Sequence, residues 1–450
     1  MRRALVAALP LLLITAACGH ESPDTTPKST NGSSEQGTDT NAQPAAPGEF
    51  GTLKGVCGRG DGKTVPSDAR GVTDDEIQVG VLNDATSTLA PGLGAEYLAV
   101  AKAFTEWCNA AGGINGRKIK FVTRDAKVTE AAARIVDACQ SDFMLVGGAT
   151  PFDAPTVEPR EECDLGAIPA YAASPEATTS KLQALPTRVP AKQANVAAIR
   201  LLENEFGDAF ERTGMLAVDV SSLLDPALAV REALPKVGVD IVSFQKLPLE
   251  VASYRTYVQP LVGKVDAVIP PPAPDAGFFR AMNDVDYTPK VLLDPVGNTY
   301  SQDLAKAFAD APVDAPYYLA SEIFPLEMAD QNPATKLAMD LTKKTGTKLP
   351  IDAGMIPAWA SWLLFARSAS ECTDKLTVDC VIEKATSDHA YTAGGLIAPV
   401  DLSDPTSIGA CRVILSLTAD GFTYEPKITK PTDGDGVFNC DDANVVRLDG

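Results

Sequence analysis

From Gly71 onward the sequence alternates short apolar runs with stretches in which apolar residues recur every three or four positions. The first run, Ile77-Gln78-Val79-Gly80-Val81-Leu82, alternates and then turns fully apolar, as a strand buried in a parallel sheet does. Leu98, Ala101, Phe104, Cys108 and Ala111 next fall on one face of a helix, which Gly112-Gly113 ends with residues that tolerate positive φ. Further strands are predicted at 119–122, 143–146 and 168–171, with a helix from an N-cap at Thr129 to about Gln140. The rhythm then restarts. A helix at 191–206, a strand at 215–220 and a helix at 226–236 lead to strands at 241–244, 267–269, 291–293 and 317–320. This is the pattern of an α/β protein with two doubly wound parallel-sheet lobes. Helices predicted at 333–344, 353–371 and 377–386 pack most simply on the first lobe.

The N-terminus bears on the compartment. Arg2 and Arg3 precede an apolar run over 4–17, broken by Pro10 and too short to span a bilayer, so 1–17 reads as a secretory signal. It ends Thr15-Ala16-Ala17-Cys18, which resembles the bacterial lipobox, with Thr15 where that motif usually has Leu. The resemblance implies lipidation of Cys18 and anchoring on the extracytoplasmic face of the cell membrane. Plain signal-peptide cleavage near Ala17 is the simpler alternative. Residues 19–50 are almost all small or polar, too little apolar surface to offset ordering entropy, so 18–70 is expected to be a disordered tether and N-terminal extension.

Composition narrows the chemistry. With 39 basic and 59 acidic residues, the formal net charge of −20 repels phosphate backbones and excludes nucleic acid as a partner. The 45% hydrophobic and 22% charged fractions are ordinary for a soluble globular chain. Only His20 and His389 are available for imidazole chemistry, and no G-x-S-x-G, Walker or H-E-x-x-H motif is present. No catalytic residue, metal or cofactor is therefore expected. With Cys18 set aside, eight of the 9 cysteines remain, which in an exported chain reads as four disulfides.

Three segments resemble one family. These are Gly71-Val72-Thr73-Asp74-Asp75-Glu76-Ile77-Gln78-Val79-Gly80-Val81-Leu82, then Asn109-Ala110-Ala111-Gly112-Gly113-Ile114-Asn115-Gly116-Arg117-Lys118-Ile119, and the strand end Val146-Gly147-Gly148. They are similar to type I periplasmic binding proteins, the branched-chain amino-acid-type substrate-binding lipoproteins of ABC transporters, over about 71–421. The glycines at 112–116 follow a helix and precede a strand, so they make a turn; a dinucleotide loop has the reverse order. The resemblance implies two lobes joined by three crossovers and closing on a small-molecule ligand. Lobe one is expected at 71–188 plus 325–394, lobe two at 189–322 plus 397–450. The crossovers fall near 186–190, 323–325 and 394–399, where Gly394-Gly395 is permissive backbone. The implied protein is a monomer with an ABC permease as its membrane partner. A ligand-sensing lipoprotein and a carboxylate-based hydrolase are the alternatives.

In open α/β sheets ligands sit beyond the carboxyl ends of the strands. The candidate ligand residues there are Asp84, Thr150, Phe152, Asp153 and Tyr171 in lobe one, and Ser221, Ser222, Pro271, Asp294 and Tyr300 in lobe two. Asn298 adds a polar group to the last loop. Structural alternatives stand beside several. Asp153 reads equally as an N-cap, Tyr171 as a packing residue, Ser221 and Ser222 as helix caps, and Trp359 with Trp362 as core. Pro270-Pro271-Pro272 forms a stiff apolar wall without backbone donors. In amino-acid receptors of the family, a carboxylate of a Gly-Pro-Glu-Gly-type turn meets the ligand ammonium. The matching turn here is Asp294-Pro295-Val296-Gly297, with valine in that place. The serine-rich loop for the ligand carboxylate is replaced by Ala149-Thr150-Pro151-Phe152-Asp153. Common branched-chain amino acids are therefore not expected as ligands; a less charged or more apolar solute is.

Topology suggests the disulfides. With strand order 2-1-3-4-5, right-handed crossovers place the helices ending near Cys139 and Cys163 on one face, so these two pair. Cys108 lies on the other face and is left for Cys57. Cys372 and Cys380 bracket a short loop and pair locally. Cys411 and Cys440 then tie the C-terminal tail to its strand.

Overall fold

The computed structural model describes residues 46–60, 64–189, 191–297 and 299–448. The predicted signal, Cys18, most of the predicted tether and Asn298 lie outside the described residues. The first sheet contains β1 (Glu76–Asn83), β2 (Lys118–Asp125), β3 (Met144–Val146) and β4 (Gly166–Ile168), all parallel in the order β2-β1-β3-β4. The expected fifth strand is reduced to one bridge. Ala167 donates to Leu182 O and accepts from Ala184 N, and Pro186, which has no N–H, follows at once.

A short strand, β5 (Gln193–Asn195), leads to the second sheet. It contains β6 (Thr213–Val218), β7 (Ile241–Leu247), β8 (Ala267–Ile269), β9 (Val291–Asp294), β10 (Tyr317–Ser321), β11 (Val413–Thr418) and β12 (Gly421–Tyr424). Their order is β12-β11-β10-β9-β8-β6-β7, with β11 and β12 antiparallel additions at one edge. The last strand, β13 (Val445–Arg447), pairs antiparallel with β5. The molecule is thus an α/β fold of two parallel-sheet lobes.

The helices complete each lobe. Helix Ala95–Ala111 buries Val100, Phe104 and Cys108 and stops at Gly112 and Gly113, both at positive φ. A Cβ at Gly113 would lie 1.9 Å from Arg117 O, so the turn requires glycine. The Asn109 side chain then bonds both backbone groups of Ile119, at 2.7 and 2.9 Å, stitching the helix to β2. Helices Pro333–Lys344, Ile356–Ser370 and Val378–Thr386 pack against this helix or against β3 and β4, and so belong to the first lobe. Trp359 and Trp362 are core residues. Trp362 stacks on Phe104 with centroids 5.3 Å apart, and Trp359 Nε1 donates to Thr342 Oγ1. Phe50, in the stretch expected to be disordered, is fully buried and stacks on Trp359 at 5.3 Å.

Two helix starts differ from expectation. Thr129 is not a cap: Lys127 and Val128 take positive φ, and the helix runs Ala131–Ser141 with no side-chain cap. Residues 193–195 leave the predicted helix to pair with β13, so that helix is Ala197–Phe210. The disulfides are Cys57–Cys108, Cys139–Cys163, Cys372–Cys380 and Cys411–Cys440.

The segments between the lobes are hydrogen-bonded to one another. Phe324 N donates to Leu396 O at 3.0 Å, and Ala398 N to Glu322 O at 2.7 Å. Buried Arg412 reaches the Glu322 carboxylate at 3.2 Å, and Arg188 donates to the backbone oxygens of Asp404 and Ser407.

Candidate functional site

At the carboxyl end of β1, Asp84 is fully buried. Its amide donates to Leu93 O, and Oδ1 accepts from Val128 N, which ties the loop to the chain after β2. Burial raises the Asp84 pKa; the Val128 amide and the nearby Thr150 hydroxyl oppose the rise. Oδ2 nevertheless has no partner that meets hydrogen-bond geometry. Thr150 is buried, and its hydroxyl accepts weakly from Phe152 N at 3.4 Å. Phe152 is half-buried.

Asp153 does not cap the turn that follows it. Its carboxylate accepts from Ala173 N at 2.6 Å and Ser174 N at 3.0 Å, which joins the loop after β3 to the loop after β4. Burial raises its pKa against those two amides. Tyr171 lies three residues beyond β4, half-buried, in that second loop.

Two further residues complete this face. Glu96 and Tyr97 sit in the first turn of helix Ala95–Ala111. The Glu96 pKa is raised to about 7, chiefly by burial, with the Asp352 carboxylate adding to it. The Tyr97 phenol is pushed up by burial, then by Tyr171, Glu96 and Asp84. Tyr171 is raised by burial, then by Asp153, Glu96 and Asp84, while a hydrogen bond with Tyr97 opposes the shift. The only sequence signal for the pair was position, since the preceding loop leaves the end of β1.

The lobe-two candidates are engaged differently. Asp294 accepts from Val296 N, Gly297 N, Thr299 N and Thr299 Oγ1 at 2.8–3.0 Å, so both its oxygens organise its own turn. Tyr300 donates to Glu327 Oε2 and accepts from Leu326 N, which engages its hydroxyl on both sides. Ser221 begins helix Ser221–Ala233, and Ser222 is buried there with an unpartnered hydroxyl. The N-cap of this helix is Val220, so neither serine is its cap. Pro271 is buried. Its neighbours Pro270 and Pro272 line an apolar cavity of about 50 Å³ with Leu216, Leu223, Pro226 and Val296, room for little more than a water.

The structure therefore brings Asp84, Thr150, Asp153 and Tyr171 together with Glu96 and Tyr97. Asp294 and Tyr300 are placed on the facing lobe but bonded to protein groups. Contact between the sides is direct. Glu327 lies in the segment after β10, and the Asp352 pKa, beside Glu96, is raised by burial against the amides of Gly354 and of Gln302 from the second lobe. A larger cavity, about 580 Å³, lies at the opposite edge of the first sheet beside Cys163, lined by Arg70, Glu161, Asp164 and Lys181. It is remote from the strand carboxyl ends, where the loops of separate strands converge, and we place the site at those ends.

No ion pair among the described residues involves Asp84, Glu96, Asp153 or Asp352. Nor do any three His, Cys, Asp or Glu residues among them form a group able to hold a metal ion. No helix among them is long and apolar enough to cross a membrane.

Two parallel-sheet lobes in contact through their strand-end loops define a two-lobed α/β binding protein. The periplasmic binding protein family matches residues 76–412, and this chain belongs to that family. Solved structures of similar fold include a fatty acid ABC transporter substrate-binding protein from Thermomonospora curvata, 17% identical, with a TM-score of 0.64 over 84% of this chain and 96% of that one. Another is the branched-chain amino acid transporter substrate binding protein LivJ from Streptococcus pneumoniae in complex with isoleucine, 16% identical, TM-score 0.62, over 78% and 99%. A third is an ABC transporter solute binding protein from R. palustris in complex with 4-hydroxybenzoate, 15% identical, TM-score 0.63, over 78% and 96%. No curated protein sequence matches the chain.

Proposed function

We propose that this protein is an extracytoplasmic solute-binding lipoprotein. It captures a small molecule between its lobes and delivers it to an ABC importer, held at the membrane by a lipid on Cys18 and acting as a monomer. The observation that carries this reading is the convergence of Asp84, Asp153 and Tyr171, from the loops after β1, β3 and β4, with Glu96 and Tyr97 of the first turn of helix Ala95–Ala111, at the carboxyl edge of the first sheet. The lobe-two loop at Tyr300 reaches across toward it. A solute there touches both lobes only when they are closed, so its differential affinity for the closed form drives closure. No bond is made or broken.

The lobes proposed are 71–188 plus 325–394 and 189–322 plus 397–450. The hydrogen-bonded segments at 322–324 and 396–398 support crossovers at 323–325 and 394–399. Residues 46–58 join lobe one through Phe50 and the Cys57–Cys108 disulfide, so the tether enters the fold on that lobe.

The Asp294 oxygens are held by their own loop, so that carboxylate does not replace the one missing from the Asp294-Pro295-Val296-Gly297 turn. This supports a ligand other than a branched-chain amino acid. The three similar structures are described as taking a fatty acid, isoleucine and 4-hydroxybenzoate. Each of those molecules carries a carboxylate, which the acidic face here disfavours. A thermal-shift screen of the purified protein against small metabolites tests the reading, because a ligand bound only by the folded state raises the melting temperature. Enzyme-like turnover of any of them contradicts it.

A further inference from the structure

We infer that the cleft takes an organic monocation, an amine or quaternary ammonium on an apolar body, with its charged head seated among Asp84, Glu96, Tyr97 and Tyr171. The inference rests on the solute-binding reading above.

The first support is a buried acid with one oxygen left without a hydrogen-bond partner. Asp84 has no exposed surface, and its Oδ2 lacks a hydrogen-bond partner. A buried carboxylate oxygen left in that state is costly, more so than a neutral group, and a cation brought close offsets the cost. The placement fits, because a Cβ at Gly94 would lie 3.2 Å from the Tyr97 ring and 3.4 Å from the Asn83 Cβ, which sets that ring beside the end of β1, and Asp84 adds to the upward shift of both the Tyr97 and Tyr171 phenols. The second support is the lack of any internal counter-charge. Among the described residues no lysine or arginine is paired with Asp84, Glu96, Asp153 or Asp352. Asp153 is already satisfied by two amides, so Asp84 and Glu96 are the carboxylates left to meet a ligand.

The chemistry of the donors selects the kind of cation. Among the described residues no three acidic groups are placed to share a metal ion, so they offer a hard divalent ion no cage. Two phenol rings beside two carboxylates suit a soft cation, which is attracted both by the charges and by the ring faces. A carboxylate ligand meets like charge, and a zwitterion leaves its own carboxylate without a partner. A monocation carries one charged group where an amino acid carries two, with its apolar body toward Phe152 and the proline wall.

The affinity is pH-dependent. Glu96 is faced by Tyr97 on its own helix, by Asp352 from the loop before Ala353, and by Tyr171 from the loop after β4, with no positive group among them. As pH rises through about 7, Glu96 ionises and the cation binds more tightly.

The test is a thermal-shift and calorimetric comparison on the whole mature protein at pH 6 and pH 8, with matched probes. Choline is set against 3,3-dimethylbutan-1-ol, its uncharged isostere, and tyramine against 4-hydroxyphenylacetate. Isoleucine and a wide metabolite screen complete the set. The expected result is stabilisation by a cation and none by its neutral or anionic counterpart, with affinity rising up to about tenfold from pH 6 to pH 8. Glu96→Gln should remove that pH dependence and weaken the cation about tenfold. Asp84→Asn should weaken it further, its folding being checked by circular dichroism. Stabilisation by neutral or anionic compounds but by no cation overturns the ligand class and leaves the binding reading intact. Stabilisation by nothing in the whole screen overturns both. Unchanged cation affinity and pH profile in Glu96→Gln overturns the assignment to this site.

Discussion

Tyr300 donates its hydroxyl hydrogen to Glu327 Oε2 across 2.6 Å while accepting the Leu326 amide at 2.8 Å. Tyr300 follows β9 in the second sheet, and Glu327 lies in the segment after β10, so this hydroxyl joins those two stretches of chain. Burial, then the Glu327 carboxylate, raises the phenol pKa, and burial raises that of Glu327.

Tyr300→Phe removes the donor and leaves the Leu326 amide and a half-buried carboxylate without their partner. The expected loss is about 1–3 kcal/mol, read as a lower urea midpoint. A midpoint equal to wild type would show that water replaces the hydroxyl at no cost.

Phe50 is the test of the N-terminal extension. It is fully buried between Trp107 and Trp359, with centroids at 5.6 and 5.3 Å. Phe50→Ala should cost about 3–5 kcal/mol through lost burial and the cavity left behind. Equilibrium unfolding followed by tryptophan fluorescence reports it; a change below about 1 kcal/mol would mean the extension is not part of the lobe.

Asp294→Ala leaves the amides of Val296, Gly297 and Thr299 without their acceptor. A loss of about 1–3 kcal/mol is expected, measured by thermal unfolding. Leucine, isoleucine and valine should fail to bind the wild type in calorimetry. Micromolar binding of any of them would refute the assignment of Asp294 to a purely structural turn if that binding also weakens sharply in Asp294→Asn.

Glu96 gives stability a pH signature. Its folded pKa is about 7 against 4.5 for the free group, so between these values the folded state holds the proton and the unfolded state has lost it. Stability from this group is therefore greatest at low pH, falls as pH rises from about 4.5 to 7, and is flat above that. Asp84, Asp153 and Asp352 are also raised by burial and slope the same way. The diagnostic quantity is thus the difference between wild type and Glu96→Gln. Chemical denaturation from pH 4.5 to 8 should show a shallower slope in the variant, by up to about 3 kcal/mol over the window. Parallel curves would contradict the shift.

The sheets were legible because their strands are apolar runs, and a strand buried on both faces has little other composition open to it. The Asn109–Ile119 turn was legible from its glycines, whereas the bonds of Asn109 to Ile119 emerge only in three dimensions. The pairing of β5 with β13 joins 193–195 to 445–447, three residues from each end of a long chain segment, and no local pattern announces it. Asp153 and Asp294 looked alike in sequence, acids just beyond strands. In the fold, one staples two loops and the other folds its own turn. Glu96 was hidden because an acid in the first turn of a helix is ordinary there, and only its burial near Asp352 sets it apart.

Binding by lobe closure is tested most directly by small-angle X-ray scattering of the protein with and without a saturating ligand from the screen, with the ligand recovered afterward and identified. Closure predicts a smaller radius of gyration at one ligand per chain and a chemically unchanged ligand. An unchanged radius at saturation, or a ligand recovered as product, would contradict it.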